Sequence, residues 1–463
     1  MKSFSVIVAL FALCATLYAG QSKVLELRAE TKPSDRIEIG GISGSDVKFR
    51  SWEKNEVYVK LNVSISCWDK DYEQEYVEKT HLAQEASDGT VRISLEELST
   101  NPSFSLFSFL THPSLSKNIT GEVFVPESNA LTSDFRYGSM ELNDMKGELR
   151  LLGTSNTVRV RNCTNVSEIE NNYGSTTIED CGGALRLTGA SSTVYISDFA
   201  GSARVDANYS TVSVKGIDKE LTLTDQSGKL TLERLGGSVS LDANYSTIGA
   251  TSVGGDLRIN CQSGTIRVSG VRGQCDFDAK YSSIELDSVA NPTSKPSVID
   301  DQSGSVYIEG LTGGLRIDNP YGDITLMKIK GNVRLSSTSS RVEGDDITGD
   351  FDARTLYTSI SMRGLRANAI LITDQSNPVS LHLASVPESL SVVSQYADVR
   401  VTMPAGFSGD VDLTVEYGRL VTNLPLKIKE LQSSSYGTGK IGSGAGSISL
   451  STKSGNIELN EVK

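Results

Sequence analysis

Asp206-Ala-Asn-Tyr-Ser-Thr-Val-Ser-Val-Lys-Gly-Ile217 returns as Asp242-Ala-Asn-Tyr-Ser-Thr-Ile-Gly-Ala-Thr-Ser-Val253. It returns again as Asp278-Ala-Lys-Tyr-Ser-Ser-Ile-Glu-Leu-Asp-Ser-Val289, each time 36 residues on. A shorter period lies inside this one. Steps of 18 from Met145 land on Cys163, Cys181, Phe199, Ile217, Leu235, Val253, Val271 and Val289, all apolar. From Met140 they land on Val158, Thr176, Val194, Val212, Leu230, Ile248, Ile266 and Ile284; from Leu151 on Ile169, Leu187, Val205, Leu223, Leu241, Ile259 and Phe277. Three columns with one polar member among them require a repeated structural unit. Within the unit apolar residues alternate, as in Val212-x-Val214 and Leu221-x-Leu223, with Gly216 and Ser227-Gly228 at the bends. Period two inside and period 18 outside specify two short strands per coil, each stacked in register on the next. The fold class is therefore all-β, a single-stranded parallel β-solenoid (β-helix), right-handed by the usual hand of parallel connections.

The register slips between Asp287 and Val298, where Asn291-Pro-Thr-Ser-Lys-Pro296 marks an insertion loop over 288–297; Leu311, Ile329, Ile347 and Leu365 then step by 18 again. Alternation persists to Ile448-x-Leu450 and Ile457-x-Leu459, so the solenoid is expected over 132–463. Residues 21–131 are β-rich but aperiodic, as in Ile37-x-Ile39 and Val57-x-Val59-x-Leu61. A solenoid must cover its first coil or pair edge to edge, so this segment reads as an N-terminal cap with the first irregular coils. The apolar stretch Phe104, Leu106, Phe107, Phe109 and Leu110 is expected to pack over the solenoid end.

Residues 1–20 read as a signal peptide: Lys2, the apolar run Val6 to Leu13, and Leu17-Tyr18-Ala19 before the cut. The expected location is secreted, periplasmic or cell-envelope associated. Cys14 follows the bulky Leu13, where a lipid-attachment signal takes a small residue. No later run is long and apolar enough for a transmembrane segment. A net charge of −13, with acids and bases interspersed, argues against nucleic acid, which needs clustered Lys and Arg.

Asp35-Arg-Ile-Glu-Ile-Gly-Gly-Ile-Ser-Gly-Ser-Asp-Val-Lys-Phe49, Val123-Phe-Val-Pro126 leading to Tyr137-Gly-Ser-Met-Glu-Leu142, and the later Ser-Gly-x-[Ile/Leu] units carry a family resemblance. The chain resembles the bacterial "putative adhesin" β-strand-repeat domains of unknown function. The resemblance implies a secreted or envelope-associated β-solenoid and transfers no catalytic residues.

On the 36-residue period stand Tyr137, Tyr173, Tyr209, Tyr245 and Tyr281, continued by Tyr321, Tyr357 and Tyr396, while Ser155, Ser191, Ser227 and Ser263 take the same turn on alternate coils. Rings on every second coil lie about 9.6 Å apart along one edge. They could bind a surface glycan or an envelope protein, or they could cover the small Ser-Gly turns on either side, since rings on adjacent coils would compete for space. Beside them runs an acidic column, Glu170, Asp206, Asp242 and Asp278, whose alternation with Thr188, Thr224 and Asn260 keeps like charges off adjacent strands. The Gly-Gly-x-Gly-x-Asp calcium nonapeptide is missing, and neither metal nor cofactor is expected.

Cys163 and Cys181 fall one coil apart in one inward column, at a Cα spacing of about 4.8 Å that a disulfide tolerates. An exported chain permits that bond, and two thiols packed as small hydrophobes are the alternative. His81, His112 and His382 lie in no motif, and Gly437-x-Gly439-x-x-Gly442 has no helix pattern after it. An enzyme reading, a polysaccharide lyase or hydrolase on a solenoid, would rest on Asp300-Asp301 and Asp345-Asp346 with Arg341 and Arg354. The expectation is instead a non-enzymatic scaffold or adhesin-like surface.

Overall fold

The computed structural model describes residues 21–43, 45–66, 70–98 and 116–462. The signal segment, Cys14, Cys67, His112 and the apolar stretch Phe104 to Leu110 lie outside the described residues. The chain divides into two compact units, one ending at Asp218 and the other beginning at Lys219. Both are built of stacked parallel coils.

In the first unit, one sheet aligns Leu151, Ile169, Leu187 and Val205, and the other aligns Val158, Thr176, Val194 and Val212. Every step is 18 residues, and all eight side chains are buried. The second unit repeats the plan, with Leu223, Leu241, Ile259 and Phe277 in one sheet and Leu230, Ile248, Ile266 and Ile284 in the other. At the insertion the register step lengthens to 22: Phe277 pairs with Ile299 and Leu286 with Ile308. Asn291 holds the extra residues as a compact turn. Its side-chain amide donates to the Lys295 carbonyl at 2.8 Å, and its Oδ1 accepts from the Thr293 amide at 3.0 Å.

The corners need left-handed backbone. Asp144, Asn162, Asp180, Asp198 and Gly216 take one such corner in the first unit, with φ between 50° and 77°. Asn, Asp and Gly are the residues that tolerate this region. Tyr137, Ser155, Tyr173, Ser191 and Tyr209 take another, with φ between 52° and 61°.

Each unit closes one end by leaving sequence order. In the first, the coil Arg36–Ser43 and Ser45–Trp52 lies between the coil containing Ala130–Arg136 and the one containing Thr90–Glu96. Antiparallel strands cover the outermost coil: Glu56–Ser66 runs against Ser116–Pro126, and His81–Ser87 against Thr90–Glu96. A helix, α1 (Lys70–Lys79), stands where sequence periodicity shows only dense charge. Lys23 Nζ donates to the Val77 and Thr80 carbonyls at 3.1 and 2.9 Å, placing a cation at the helix C-terminus.

In the second unit the final coil, Gly446–Ser454 with Ile457–Val462, inserts between Ser389–Ser394 and Gly409–Tyr417. Gly409–Tyr417 is then covered by the antiparallel strand Ser435–Ile441. Gly437 and Gly439 belong to that strand, packed on Leu413, Leu420 and Leu426. Alternation to the chain end therefore holds, but the coils do not stack in the order in which they are written.

Because each inward column receives one side chain per coil, truncation leaves a void that neighbours cannot fill. Leu326→Ala, at a fully buried site, is expected to lower unfolding free energy by about 2–5 kcal/mol, read from the urea midpoint. A loss under about 1 kcal/mol would contradict a close-packed interior.

Candidate functional site

The tyrosine edge rests on a polar floor. Beneath the turns runs a buried column that includes Asp225, Asp301, Asn319 and Asp374. Asp374 Oδ1 accepts from Thr355 Oγ1 at 2.7 Å, and its Oδ2 accepts from the Ser376 and Asn377 amides at 3.0 and 2.9 Å. Asp225 Oδ2 accepts from Ser246 Oγ at 2.9 Å, and Asn319 donates to the Gly304 carbonyl at 2.9 Å. These bonds hold the turn backbone that carries the rings.

Tyr137, Tyr173 and Tyr209 of the first unit are 67%, 69% and 62% exposed. In the second unit Tyr245, Tyr281, Tyr321, Tyr357 and Tyr396 are between 50% and 59% exposed. Tyr137, Tyr173, Tyr209, Tyr245 and Tyr281 are also left-handed, at φ 56–61°, which costs roughly 1 kcal/mol for a residue with a Cβ. Ser155, Ser191, Ser227 and Ser263 take the same conformation on alternate coils, so the corner rather than the ring demands it.

Sequence reading missed a sixth tyrosine in the second unit. Val393 pairs with Ser451 and Thr414 with Ser451, so Tyr396, Ser454 and Tyr417, each three residues on, occupy successive coils. Spatially the edge reads Ser227, Tyr245, Ser263, Tyr281, Ser303, Tyr321, Ser339, Tyr357, Ser376, Tyr396, Ser454, Tyr417. The alternation survives the reordered coils, and Tyr417 is 62% exposed. Nothing in linear spacing marks Tyr417, because its neighbour on the edge comes later in the chain.

The acidic column alternates with Thr188, Thr224 and Asn260 as far as Asp278, and the alternation stops at the insertion. Asp278 pairs with Asp300, and Asp300 with Asp318, so three carboxylates stack on consecutive coils. Partial burial, then the Asp318 and Asp278 charges, raise the Asp300 carboxyl above its ordinary range. The four-residue insertion brings this about by giving Asp300 the place that Asn260 holds two coils earlier. Among the described residues, no group of three or more His, Cys, Asp or Glu side chains is placed to hold a metal ion.

The residues of the enzyme reading do not converge. Asp300 faces outward, whereas Asp301 is fully buried. Asp345 and Asp346 lie on the opposite sheet, with Asp346 at a corner and paired to Arg366. Arg354 sits beside Asp352 at 3.7 Å on a different strand from Arg341, which shares the strand of Asp345 and Asp346. His81 and His382 are exposed, far apart in the chain, and in separate units.

Cys163 and Cys181 are free, buried thiols rather than the expected staple. In-register stacking sends both side chains the same way, so their Cβ atoms keep the coil spacing of about 4.8 Å. A disulfide spans roughly 3.5–4.5 Å between Cβ atoms. Each Sγ instead bonds a carbonyl at 3.1 Å, that of Arg161 for Cys163 and that of Glu179 for Cys181. The Cys181 thiol and burial push the Cys163 thiol well above its ordinary value. Cys261 and Cys275 are also free and buried, and burial raises Cys275 to about 12.

The fold and this edge define a class: a parallel β-solenoid with one side patterned by alternating tyrosine and serine. Residues 255–460, all within the second unit, match the Toastrack family (DUF4097), a domain of unknown function. That agrees with the resemblance to β-repeat domains of unknown function. Among solved structures, the chain is similar to a "putative cell adhesion protein" from Clostridium sporogenes ATCC 15579. The two are 8% identical, with 96% of this chain and 100% of that one covered and a TM-score of 0.15. No curated protein sequence matches the chain significantly.

Asp301 yields a pH prediction. Burial raises its carboxyl to about 6, against backbone amide bonds from Ser282, Ser303, Gln302 and Tyr281 that pull it down. Among the described residues its Oδ2 has no hydrogen-bond partner, because Ala279 stands one coil earlier where Thr355 serves Asp374. The folded state therefore holds the proton more tightly than the unfolded chain. The contribution is full below the ordinary value of 3.8 and is lost as pH rises through about 6. Asp301→Asn, which keeps the neutral form, should be more stable than the parent at pH 8 by on the order of 2–3 kcal/mol. The gap should close toward pH 4; urea denaturation at both pH values checks it, and a gap independent of pH would refute the assignment.

Proposed function

We propose that this chain is an exported, non-enzymatic β-solenoid whose tyrosine edge is an adhesin-like binding surface for a glycan or envelope partner. One observation carries the reading. In the second unit six tyrosines, each at least half exposed, occupy every second coil in space, including Tyr417 on a coil out of sequence order. The rigid floor beneath them lets rings meet a ligand without ordering a loop first. Aromatic side chains supply large contact area with only two side-chain torsions to freeze. Export rests on the N-terminal pattern, and neither matched name describes an enzyme.

The test separates binding from a mechanical role. Tyr245→Ala, Tyr281→Ala and Tyr321→Ala combined should reduce adhesion of the mature chain to cells or a glycan array about a hundredfold, at roughly 1 kcal/mol per ring. Melting temperature should stay within a few degrees, since the rings are half exposed. Tyr245→Asn alone should leave stability equal or slightly higher, by up to about 1 kcal/mol, because Asn accepts φ of 56° more readily. A lower melting temperature with adhesion untouched would make the edge purely structural.

A further inference from the structure

The second unit's edge has a two-coil repeat that singles out one geometry of ligand. Rings recur about 9.6 Å apart, twice the strand spacing. Four of the six coils between them carry glutamine just before the serine, Gln226, Gln262, Gln302 and Gln375, and the other two carry Thr338 and Lys453. Gln226, Gln262 and Gln302 are exposed, and Gln375 is half-buried. At those four coils, a flat apolar face therefore alternates with an amide that can both donate and accept. Carboxylates of Asp242, Asp278 and Asp318 stand three residues before Tyr245, Tyr281 and Tyr321, on the same coils.

A ligand that uses every ring must itself repeat over two units and present the same face at each repeat. In an extended β-1,4-linked pyranose chain each sugar is flipped relative to the last, so every second ring shows the same face. Two sugars of such a chain span nearly the length of two coils. A sugar's axial C–H face suits a tyrosine ring, and its equatorial hydroxyls suit carboxylate and amide. We infer that the tyrosine edge of the second unit takes an extended β-1,4-linked polysaccharide, laid along the stack with one sugar per coil. Odd-numbered sugars lie on tyrosines, and even-numbered sugars meet the coils between them, where Gln226, Gln262, Gln302 and Gln375 offer amides.

This inference rests on the edge being a binding surface, and the experiment keeps the two apart. Mature chain is titrated by calorimetry with cello- and chito-oligosaccharides of two to six sugars, with α-1,4 malto- and β-1,3 laminari-oligosaccharides as controls. In the β-1,4 series affinity should rise in steps, on going from two to three sugars and from four to five. Each step adds a ring contact of roughly three- to tenfold. Tyr281→Ala should remove a step, Tyr281→Phe should retain it, and Gln262→Ala with Gln302→Ala should weaken all lengths without moving the steps. A smooth rise with length, or equal binding of the α-1,4 or β-1,3 series, overturns the inference. So does silence toward all four series in a chain that still adheres to cells through Tyr245, Tyr281 and Tyr321; the binding edge then stands with another ligand. Silence toward sugars and cells alike overturns both.

Discussion

Everything in this molecule follows from backbone hydrogen bonding between strands of successive coils in strict register. That ladder sets the coil spacing at about 4.8 Å and delivers one residue per coil to each column. A column buried once is buried at every level, which is why Met140 and Val158 share their fate with Val194 and Val212. The same rule acts on the outside. Charges, rings and amides are presented at fixed intervals on a support that cannot adjust their spacing.

The ladder has a cost at its ends, where a coil offers unpaired amides and carbonyls to any passing strand. Both units answer alike. The chain forms a terminal coil, covers it with antiparallel strands, on both sheets in the first unit and on one in the second, and places a neighbouring coil inside the stack. Lys427–Glu430, the outermost strand of the second unit's hairpin, is exposed throughout and carries Lys427 and Lys429, charges that discourage further pairing.

The repeat was legible because column chemistry is strict: an inward site takes Val, Ile or Leu, and a corner takes Gly, Asn, Asp or a tolerated exception. Order was not legible. Ile448-x-Leu450 announces a strand with one face inward, but nothing in it names Leu390 and Val411 as its neighbours. Tyr417 was lost for the same reason. The staple failed differently: a Cα spacing inside the disulfide range says nothing of Cβ direction, and stacking holds Cys163 and Cys181 side by side. Alternation of acids ends beyond Asp278, where the insertion brings Asp300 into register between Asp278 and Asp318. Helix α1 was invisible because its burial rests on Tyr76 and Glu73 alone, too few positions to show a period.

The reordered end bears on why tyrosine and serine alternate at all. Two explanations share the linear pattern: rings too bulky for adjacent coils, or rings spaced for something outside. Bulk forbids neighbouring tyrosines but is indifferent to neighbouring serines, so packing alone would tolerate gaps of any length. Over the twelve coils from Ser227 to Tyr417 in space there is no double serine, even where the chain reaches a coil out of turn. A spacing kept without gaps, in space rather than in sequence, is the regularity on which the proposed binding edge rests.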